Sequence, residues 1–331
     1  MMDWTKLPKV ELHLHLDCSL SYEVVSQIDP SITLEQYRMN FIAPAKSDLA
    51  EYLKRAPSSY PLMQAEEQLR LVTLDLFEQL KQDNIVYAEI RFAPLLHTER
   101  GLSPRQVVAS VETTTAQAVR DTGVEARIIL CTLRYYSKAQ SLETVRLVED
   151  FRGTYVAGFD IAADKPGNVF DDHLAAFQYA RDKGIPYTAH AGETRGPDNV
   201  WDTVRHFAPS RLGHGVPCLE RPELVEHIQK HRIHLEVCPT SNIQTNTFET
   251  YADHPIDELY RSGISVGVNT DTRTISNITL SEEYEQLHKT FGWGAEDFFN
   301  CNRNALEAAF VSDDVRDRLM AQLVKGYEET R

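Results

Sequence analysis

The chain has 331 residues, enough for one large domain or two ordinary ones, and its formal net charge of −15 argues against non-specific nucleic-acid binding. No apolar run approaches the ~20 residues of a membrane helix, and the amino terminus lacks a secretory signal. Five scattered cysteines without a CxxC pair fit a reducing compartment, so we expect a cytoplasmic protein whose partners are small molecules, not membranes or nucleic acids.

Strand-like and helix-like runs alternate along the chain. Short runs rich in Val, Ile, Leu and aromatic residues predict buried strands at 9–16, 85–93, 125–133, 156–162, 185–191, 211–216, 232–239 and 264–271. Apolar residues at helical spacing, with helix-end signals such as Ser-Pro and Gly around the second segment, predict helices at 65–84, 103–123, 169–184 and 221–232.

Eight strands alternating with helices predict an α/β fold, a parallel (β/α)8 TIM barrel. A doubly wound open sheet is the runner-up, but no GxGxxG opens a helix, which removes its usual dinucleotide-binding version. The segment 31–62 is longer than a normal βα loop, and long inserts often cover an active site. We therefore expect a single barrel domain over residues 1–331 with this segment as an insert after the first strand.

The first predicted strand carries polar residues on one face. Alternate side chains of a strand share a face, so Glu11, His13, His15 and Asp17 lie opposite a row of apolar residues. His13 and His15 could be hydrogen-bonded core residues or metal ligands, and the strand pattern alone does not decide between these two roles.

Three more polar residues end later strands. His190 ends the fifth, His214 the sixth and Asp271 the eighth, and the carboxyl ends of barrel strands converge on one mouth. Singly, a strand histidine is commonly structural, and Asp271 could cap the next helix. Because all of them, with His13 and His15, fall at the same end of their strands, the joint pattern favours a shared site.

The residue types point to metal chemistry. Three imidazoles and a carboxylate suit Zn²⁺ or another borderline divalent ion, and an open position would hold a water whose pKa falls toward ~7. Glu193, three residues after His190, could reach a substrate, and His214, if it is not a ligand, could act as a base. The set is suited to hydrolytic attack on a carbon.

The remaining histidines are assigned no chemistry. His234 lies inside a strand and receives no role, while His97 and His254 lie in loops and stay open. We interpret as solvated or capping residues those in helical, mostly polar segments, namely His173, His206, His227, His231 and His288.

Five motifs resemble, in the same order, those of adenosine deaminases of the amidohydrolase superfamily: KVELHLHLD (9–17), HAGE (190–193), LGHG (212–215), CPTSN (238–242) and VNTD (268–271). The resemblance runs from Pro8 to at least Glu285. The HxH motif alone indicates only a broad superfamily of metal hydrolases. The HAGE and CPTSN motifs narrow the resemblance to the branch that acts on 6-aminopurines.

The resemblance implies a metal-dependent hydrolase barrel with one Zn²⁺ per chain, held by His13, His15, His190 and Asp271. It implies that Glu193 donates a proton to the purine N1, which makes C6 more electrophilic. It also implies that His214 orients the activated water and helps take its proton. The products would be ammonia and an inosine-type purine.

The resemblance also implies substrate contacts. Asp17 would meet a ribose hydroxyl, with His15 beside it, and the backbone N–H of Ala163 would contact the purine. Segment 31–62 would be a helical lid, in which 48–56 resembles the lid helix of the family. Its substrate-facing side would consist of Leu49, Tyr52 and Leu53, although packing on the barrel explains these residues equally well.

Four positions depart from the family pattern. Cys18 and Ala163 stand where members usually have Gly, and Ala93 where many have Ser. Thr272 replaces the second Asp of the best-known members, which meets the purine N7. The ligands and the acid are intact, so the expected reaction is zinc-dependent deamination of adenosine or 2′-deoxyadenosine. Free adenine and the menaquinone precursor aminodeoxyfutalosine remain alternatives, and Asp17 favours a nucleoside.

Two other classes of function fit the motifs less well. A related metal hydrolase could cut an amide or an ester, but HAGE and CPTSN argue against it. A purine-binding relative without catalysis is disfavoured by the intact residues His13, His15, His190, Glu193 and Asp271.

Overall fold

The computed structural model of the protein describes residues 2–164, 170–193 and 196–330. In these residues each predicted strand is present. The strands are β1 Lys9–His15, β2 Ile85–Phe92, β3 Glu125–Leu133, β4 Val156–Ala162, β5 Thr188–Ala191, β6 Arg211–His214, β7 His234–Val237 and β8 Val266–Val268. The last four are shorter than predicted: β5 starts later, β6 ends earlier, and β7 and β8 are shorter at both ends.

The eight strands close into a barrel. β1 to β4 form one sheet and β5 to β8 another, and all neighbours are parallel. Isolated parallel bridges join the two sheets on both sides, at Phe159–Tyr187 and at Leu14–Asp271. At the second junction the backbone N–H of Asp271 donates to the carbonyl of His13 at 3.0 Å. The barrel prediction is confirmed, and the open sheet is excluded.

Helices surround this barrel. Their bounds in the described part of the chain are α1 Tyr22–Ile28, α2 Leu34–Phe41, α3 Leu49–Leu53, α4 Glu66–Gln82, α5 Pro104–Thr122, α6 Lys138–Asp150, α7 Phe170–Lys183, α8 Gly196–Phe207, α9 Pro222–His231, α10 Pro239–Gln244, α11 Ile256–Arg261, α12 Leu280–Phe291, α13 Ala295–Ala308 and α14 Asp313–Glu329. None of them has the length and apolar character of a membrane span.

The four predicted helices correspond to α4, α5, α7 and α9. α5 shows why the end signals worked, since the Ser103 hydroxyl accepts from the N–H of Gln106 and Gly123 ends the helix at φ 78°. For the helix predicted at 169–184, residue 169 lies outside the described residues.

The segment 31–62 is helical and lies at the carboxyl end of the barrel. It contains α2, α3 and short 3-10 turns at Ala56–Ser58 and Tyr60–Met63. α3 packs its buried residues Leu49 and Tyr52 against Cys18, which follows β1, and Ile275, which follows β8. These contacts place α3 directly over the strand ends where the polar residues were predicted to converge.

Candidate active site

The predicted polar residues meet at the carboxyl end of the barrel. His13, His190, His214 and Asp271 are buried, and one possible metal-binding atom from each lies within 4.8 Å of the others. His15 is adjacent, because its Nε2 lies 3.2 Å from His190 Nε2 and 3.4 Å from Asp271 Oδ1. Residues separated by more than 250 positions in sequence are therefore neighbours.

The arrangement fits a metal ion. Two ligands on a tetrahedral zinc ion lie about 3.3 Å apart, and the His13 Nε2 to Asp271 Oδ1 distance is 3.3 Å. Within the described residues, His13 Nε2 is buried without a hydrogen-bond partner, which is rare for polar atoms. Imidazole nitrogens with one carboxylate are a donor set that suits zinc and related divalent ions.

Burial keeps two of the imidazoles neutral, which is the form that binds metals. It lowers the pKa of His15 to about 3 and that of His214 to about 4. Burial also lowers the pKa of His13, but the carboxylates of Asp271 and Glu236 outweigh it and raise the pKa overall. A proton and a metal ion would therefore compete at His13.

Two carboxylates stand behind the histidines. His13 Nδ1 lies 2.9 Å from Glu236 Oε2, and His190 Nδ1 lies 3.0 Å from Asp160 Oδ2. An ionised carboxylate only accepts, so the hydrogen bond from His13 to Glu236 requires the proton on His13 Nδ1, and the nearby Asp160 favours the same tautomer in His190. Neither carboxylate was singled out from the sequence, although an acid inside a buried apolar strand requires a partner.

Buried arginines hold these carboxylates ionised. Arg91 donates to Asp160 Oδ2 at 2.8 Å and to Glu236 Oε2 at 2.7 Å, and Arg211 donates to Glu236 Oε1 at 2.7 Å. Burial alone would raise the pKa of Glu236, but Arg91 and Arg211 outweigh it and hold this pKa well below its usual range. A layer of buried ion pairs therefore supports the site from inside the barrel.

Glu11, which sequence reasoning left without a role, positions the loop that carries Asp271. It accepts hydrogen bonds from the Thr270 backbone N–H at 2.9 Å and from Arg273 at 2.8 Å. Asn269 completes the attachment, because its Oδ1 accepts from the backbone N–H of His13 at 3.0 Å. The signal for Glu11 was its place on the same strand face as His13.

The backbone is strained at three of the predicted site residues. Ala163, His214 and Asp271 have φ values of 65°, 62° and 65°, in the left-handed region that side chains disfavour. Such conformations cost about 1–3 kcal/mol each and persist where the surroundings impose them. For Ala163 this explains the glycine expected there, since glycine adopts that conformation without the cost.

Close packing explains the first glycine of the LGHG motif, Gly213. A Cβ at Gly213 would lie 2.8 Å from His13 Cε1, closer than carbon atoms pack. The glycine therefore lets the His13 ring lie against β6.

A cavity of about 50 Å³ opens onto the cluster. Glu193 lies in its wall, with Oε1 3.4 Å from His214 Nε2. The lining also includes the predicted residues His15, Leu49, Tyr52, Leu53, Ala163, His190, Asp271 and Thr272, together with Cys18, Ala162 and Ile275. A larger cleft of about 800 Å³ lies at the opposite end of β7 and β8 and contains none of the predicted site residues.

The predicted apolar face of α3 is partly polar. Tyr52 hydrogen-bonds through its hydroxyl to the hydroxyl of Thr272 and, at 2.6 Å, to that of Ser276. Thr272 and Ser276 also hydrogen-bond to each other at 3.2 Å. We call these three residues the hydroxyl cluster. It joins α3 to the loop after β8.

Asp17 is buried beside this cavity rather than in its lining. Its Oδ2 accepts weakly from the Ala93 backbone N–H at 3.5 Å and lies 3.8 Å from His97 Nε2. Burial would raise the pKa of Asp17, but the nearby imidazoles of His97 and His15 outweigh burial and lower this pKa overall. His97, which the sequence left open, is thus buried within ion-pair distance of Asp17.

One expectation about the other histidines is wrong. His173 is buried, with Nδ1 3.1 Å from the Ser141 hydroxyl and Nε2 3.3 Å from the Arg134 carbonyl. It lies on the inner side of α7, so it is not a solvated residue. His254 is also buried, next to Asn242.

The chain is similar to known deaminases along almost its whole length. The adenosine deaminase family model matches residues 8–326. An adenosine deaminase from Enterococcus faecalis is 36% identical over 332 residues, which cover 97% of both chains. Two solved structures are 25% identical: an adenine deaminase from Arthrobacter aurescens, with a TM-score of 0.89 over 97% of this chain and 99% of that one, and an N6-methyl-AMP deaminase from Arabidopsis thaliana, with 0.86 over 99% and 100%.

Proposed function

The chain belongs to the adenosine deaminase family of hydrolytic deaminases, and we propose that it deaminates a 6-aminopurine nucleoside, adenosine or 2′-deoxyadenosine, with the help of one bound zinc ion. The observation that carries this proposal is the buried cluster of His13, His190, His214 and Asp271 at a cavity whose wall contains Glu193.

The zinc ion would be held by His13, His15, His190 and Asp271. Three of these belong to the cluster of mutually close ligand atoms, and His15 Nε2 lies within 3.4 Å of two of them. A bound zinc ion lowers the pKa of the water it holds and so supplies a hydroxide nucleophile at neutral pH.

Glu193 would act as the acid. It would donate its proton to N1 of the purine, which draws electrons from C6 and favours addition of the water oxygen there. The C6–N bond then breaks, the amino group leaves as ammonia, and a C6 carbonyl remains. The position of Glu193 supports this role, since its carboxylate faces the same cavity as His15 and Asp271.

The sugar and the purine edge would be recognised by different groups. Asp17, with His97 behind it, would accept a hydrogen bond from a ribose hydroxyl. Thr272 would meet the purine edge with a neutral hydroxyl, and the backbone N–H of Ala163 would contact the ring. Leu49, Tyr52 and Leu53 would cover the substrate.

The substrate could not enter the cavity in this conformation. Small-molecule sites commonly measure about 300–1,000 Å³, and this cavity measures about 50 Å³. The segment that carries α3 would therefore open for binding and close for the reaction, as coverings of active sites commonly do. It would act as the predicted lid.

A substrate panel tests the proposal. Adenosine, 2′-deoxyadenosine, adenine, AMP and aminodeoxyfutalosine are followed by ultraviolet absorbance, with metal analysis of the same sample. We expect conversion of a nucleoside and about one zinc ion per chain. The likeness to an adenine deaminase makes free adenine the first alternative. A zinc-loaded sample that converts none of these 6-aminopurines would reject the deaminase proposal.

A further inference from the structure

A line of hydrogen bonds ends at His214 from the side opposite the cavity. It starts at the backbone N–H of Ile256, which donates to His254 Nδ1 at 3.2 Å. The direction of this bond is fixed, because a backbone N–H can only donate. His254 Nδ1 is therefore an acceptor and carries no proton.

The proton of His254 is then on Nε2. Burial lowers the pKa of His254 to about 3, so the ring is neutral and has a single N–H. Nε2 lies 3.2 Å from Asn242 Oδ1 and donates to it.

The orientation of Asn242 follows from the same bond. If its amide were turned around, its NH₂ group would face the N–H of His254, and two donors would oppose each other. Oδ1 therefore faces His254, and Nδ2 donates to His214 Nδ1 at 3.1 Å. This makes His214 Nδ1 an acceptor, and neutral His214 carries its proton on Nε2.

We propose that Asn242 and His254 are positioning residues that hold His214 as the Nε2–H tautomer, so that His214 donates a hydrogen bond in the cavity and does not accept a proton there. This inference rests on the proposed function for its catalytic meaning. In this structure Nε2 forms no hydrogen bond, and it lies 3.4 Å from Glu193 Oε1 and 4.0 Å from Asp271 Oδ2. The proton that the attacking water loses would then pass to Asp271, or to Glu193 after Glu193 has protonated N1, and from there to the amino group that leaves as ammonia. His214 would orient the water oxygen.

This role differs from the one that the family resemblance implies for His214, which is to help take the proton. A ring that accepts from Asn242 cannot become doubly protonated without turning Nδ1–H against the NH₂ group of Asn242. The local hydrogen bonds thus oppose the imidazolium form.

The tautomer can be read directly by NMR. In zinc-loaded protein labelled with ¹⁵N-histidine, the ring nitrogens of His214 are assigned by the signals lost in His214→Gln. We expect a protonated Nε2 and an unprotonated Nδ1 in both His214 and His254. A protonated Nδ1 in His214 of the unmodified protein would overturn the proposal, and this reading does not depend on turnover.

Asn242→Asp reverses the predicted hydrogen bond. A carboxylate at this position only accepts, so His214 should carry a proton on Nδ1. We expect kcat to fall about 10- to 100-fold, as for other residues that orient active-site histidines, with little change in KM or zinc content. An unchanged tautomer with unchanged kcat would contradict the proposed role of Asn242.

A matched pair at His254 separates positioning from packing. His254→Gln can still accept from Ile256 and donate to Asn242, whereas His254→Phe fills the space without either bond. We expect the glutamine variant to keep the Nε2–H tautomer of His214 and most of kcat, and the phenylalanine variant to lose both. If the two variants had the same His214 tautomer and the same kcat, the proposed role of His254 would be refuted. If the tautomer is as expected but no 6-aminopurine is converted, the proposed function fails and the hydrogen-bond assignment stands.

Discussion

Substituting Tyr52 with phenylalanine should weaken the closed position of α3. The Tyr52 hydroxyl contacts two others in the hydroxyl cluster, Thr272 and Ser276, and the ring is buried. The substitution removes both bonds but keeps the ring. Thr272 and Ser276 still bond to each other at 3.2 Å, so neither is left without a partner.

The magnitude follows from the two lost bonds. At about 0.5–1.5 kcal/mol for each hydrogen bond, the closed form loses about 1–3 kcal/mol. The ratio of open to closed forms then rises roughly 5- to 150-fold. If the closed form holds the substrate, KM should rise, and kcat should not fall, because faster opening also releases product.

Two assays on the same variant check this reasoning. Steady-state kinetics with the preferred purine gives KM and kcat, and amide hydrogen exchange reports the opening of residues 49–53. The matched control is Tyr60→Phe, which removes a hydroxyl from the same segment but not from the hydroxyl cluster. Unchanged exchange of 49–53 together with unchanged KM in Tyr52→Phe would refute the assigned role of the cluster.

Three further predictions concern the reaction, the metal and stability. Glu193→Gln should keep its zinc but lose about 10²–10⁴ in kcat, because the proton donor is gone; metal analysis and kinetics of one sample check this, and near-normal turnover would show that Glu193 is not the acid. Glu236→Gln should weaken zinc binding about 10- to 100-fold and lower Tm, because His13 loses its orienting carboxylate and Arg91 a buried partner; chelator competition measures the first effect, and equal zinc affinity would contradict it. Acidification should destabilise the fold through His254, whose pKa is about 3 when folded and about 6.5 when unfolded. The unfolded state then binds more protons between these values, so stability is intact above pH 6.5 and falls below it, by about 2 kcal/mol at pH 5 for this residue. Urea unfolding at pH 7.5 and 5 should show a smaller loss in His254→Gln, and an equal loss would exclude His254 as a source.

The barrel could be predicted because its signals are local. Each strand is a short apolar run and each of the four predicted helices has apolar residues at helical spacing, so neither kind of element needs knowledge of its partner. The strand ends at His190, His214 and Asp271 then converge by topology alone. The extent of β5 to β8 could not be predicted in this way, because the point at which a strand leaves the ladder depends on its neighbours.

The supporting residues were harder to predict. Glu236 and Asp160 lie inside apolar strands and meet histidines that are 223 and 30 positions away in the sequence. An acidic residue inside an apolar strand predicts a buried carboxylate that needs a hydrogen-bond or ion-pair partner. The sequence does not show which residue that partner is. His173 illustrates the reverse error, since a histidine in a helix with many polar residues can still lie on the buried side of that helix.

The four departures from the family pattern lie around the cavity and the segment that covers it, where we propose that the substrate is recognised. Cys18 packs against α3, and Thr272 joins the hydroxyl cluster, so both touch the segment that covers the cavity. Ala93 contributes the backbone N–H that faces Asp17, and Ala163 lies in the cavity wall. None replaces a residue of the His/Asp cluster or Glu193.

If the residues have the proposed roles, the departures would change which purine is bound and leave the reaction the same. A charged carboxylate at position 272 would set a strong preference at the purine edge, whereas hydroxyls can donate or accept and form hydrogen bonds about half as strong as those of charged groups. The Thr272 hydroxyl is also already bonded to Tyr52, so a substrate that contacts it changes the bonds that hold α3 closed. Substrate choice and closure would therefore depend on the same three hydroxyls. Thr272→Val should accordingly alter both the ranking of the purine panel and the hydrogen exchange of residues 49–53, and a change in only one of them would show that recognition and closure are separate.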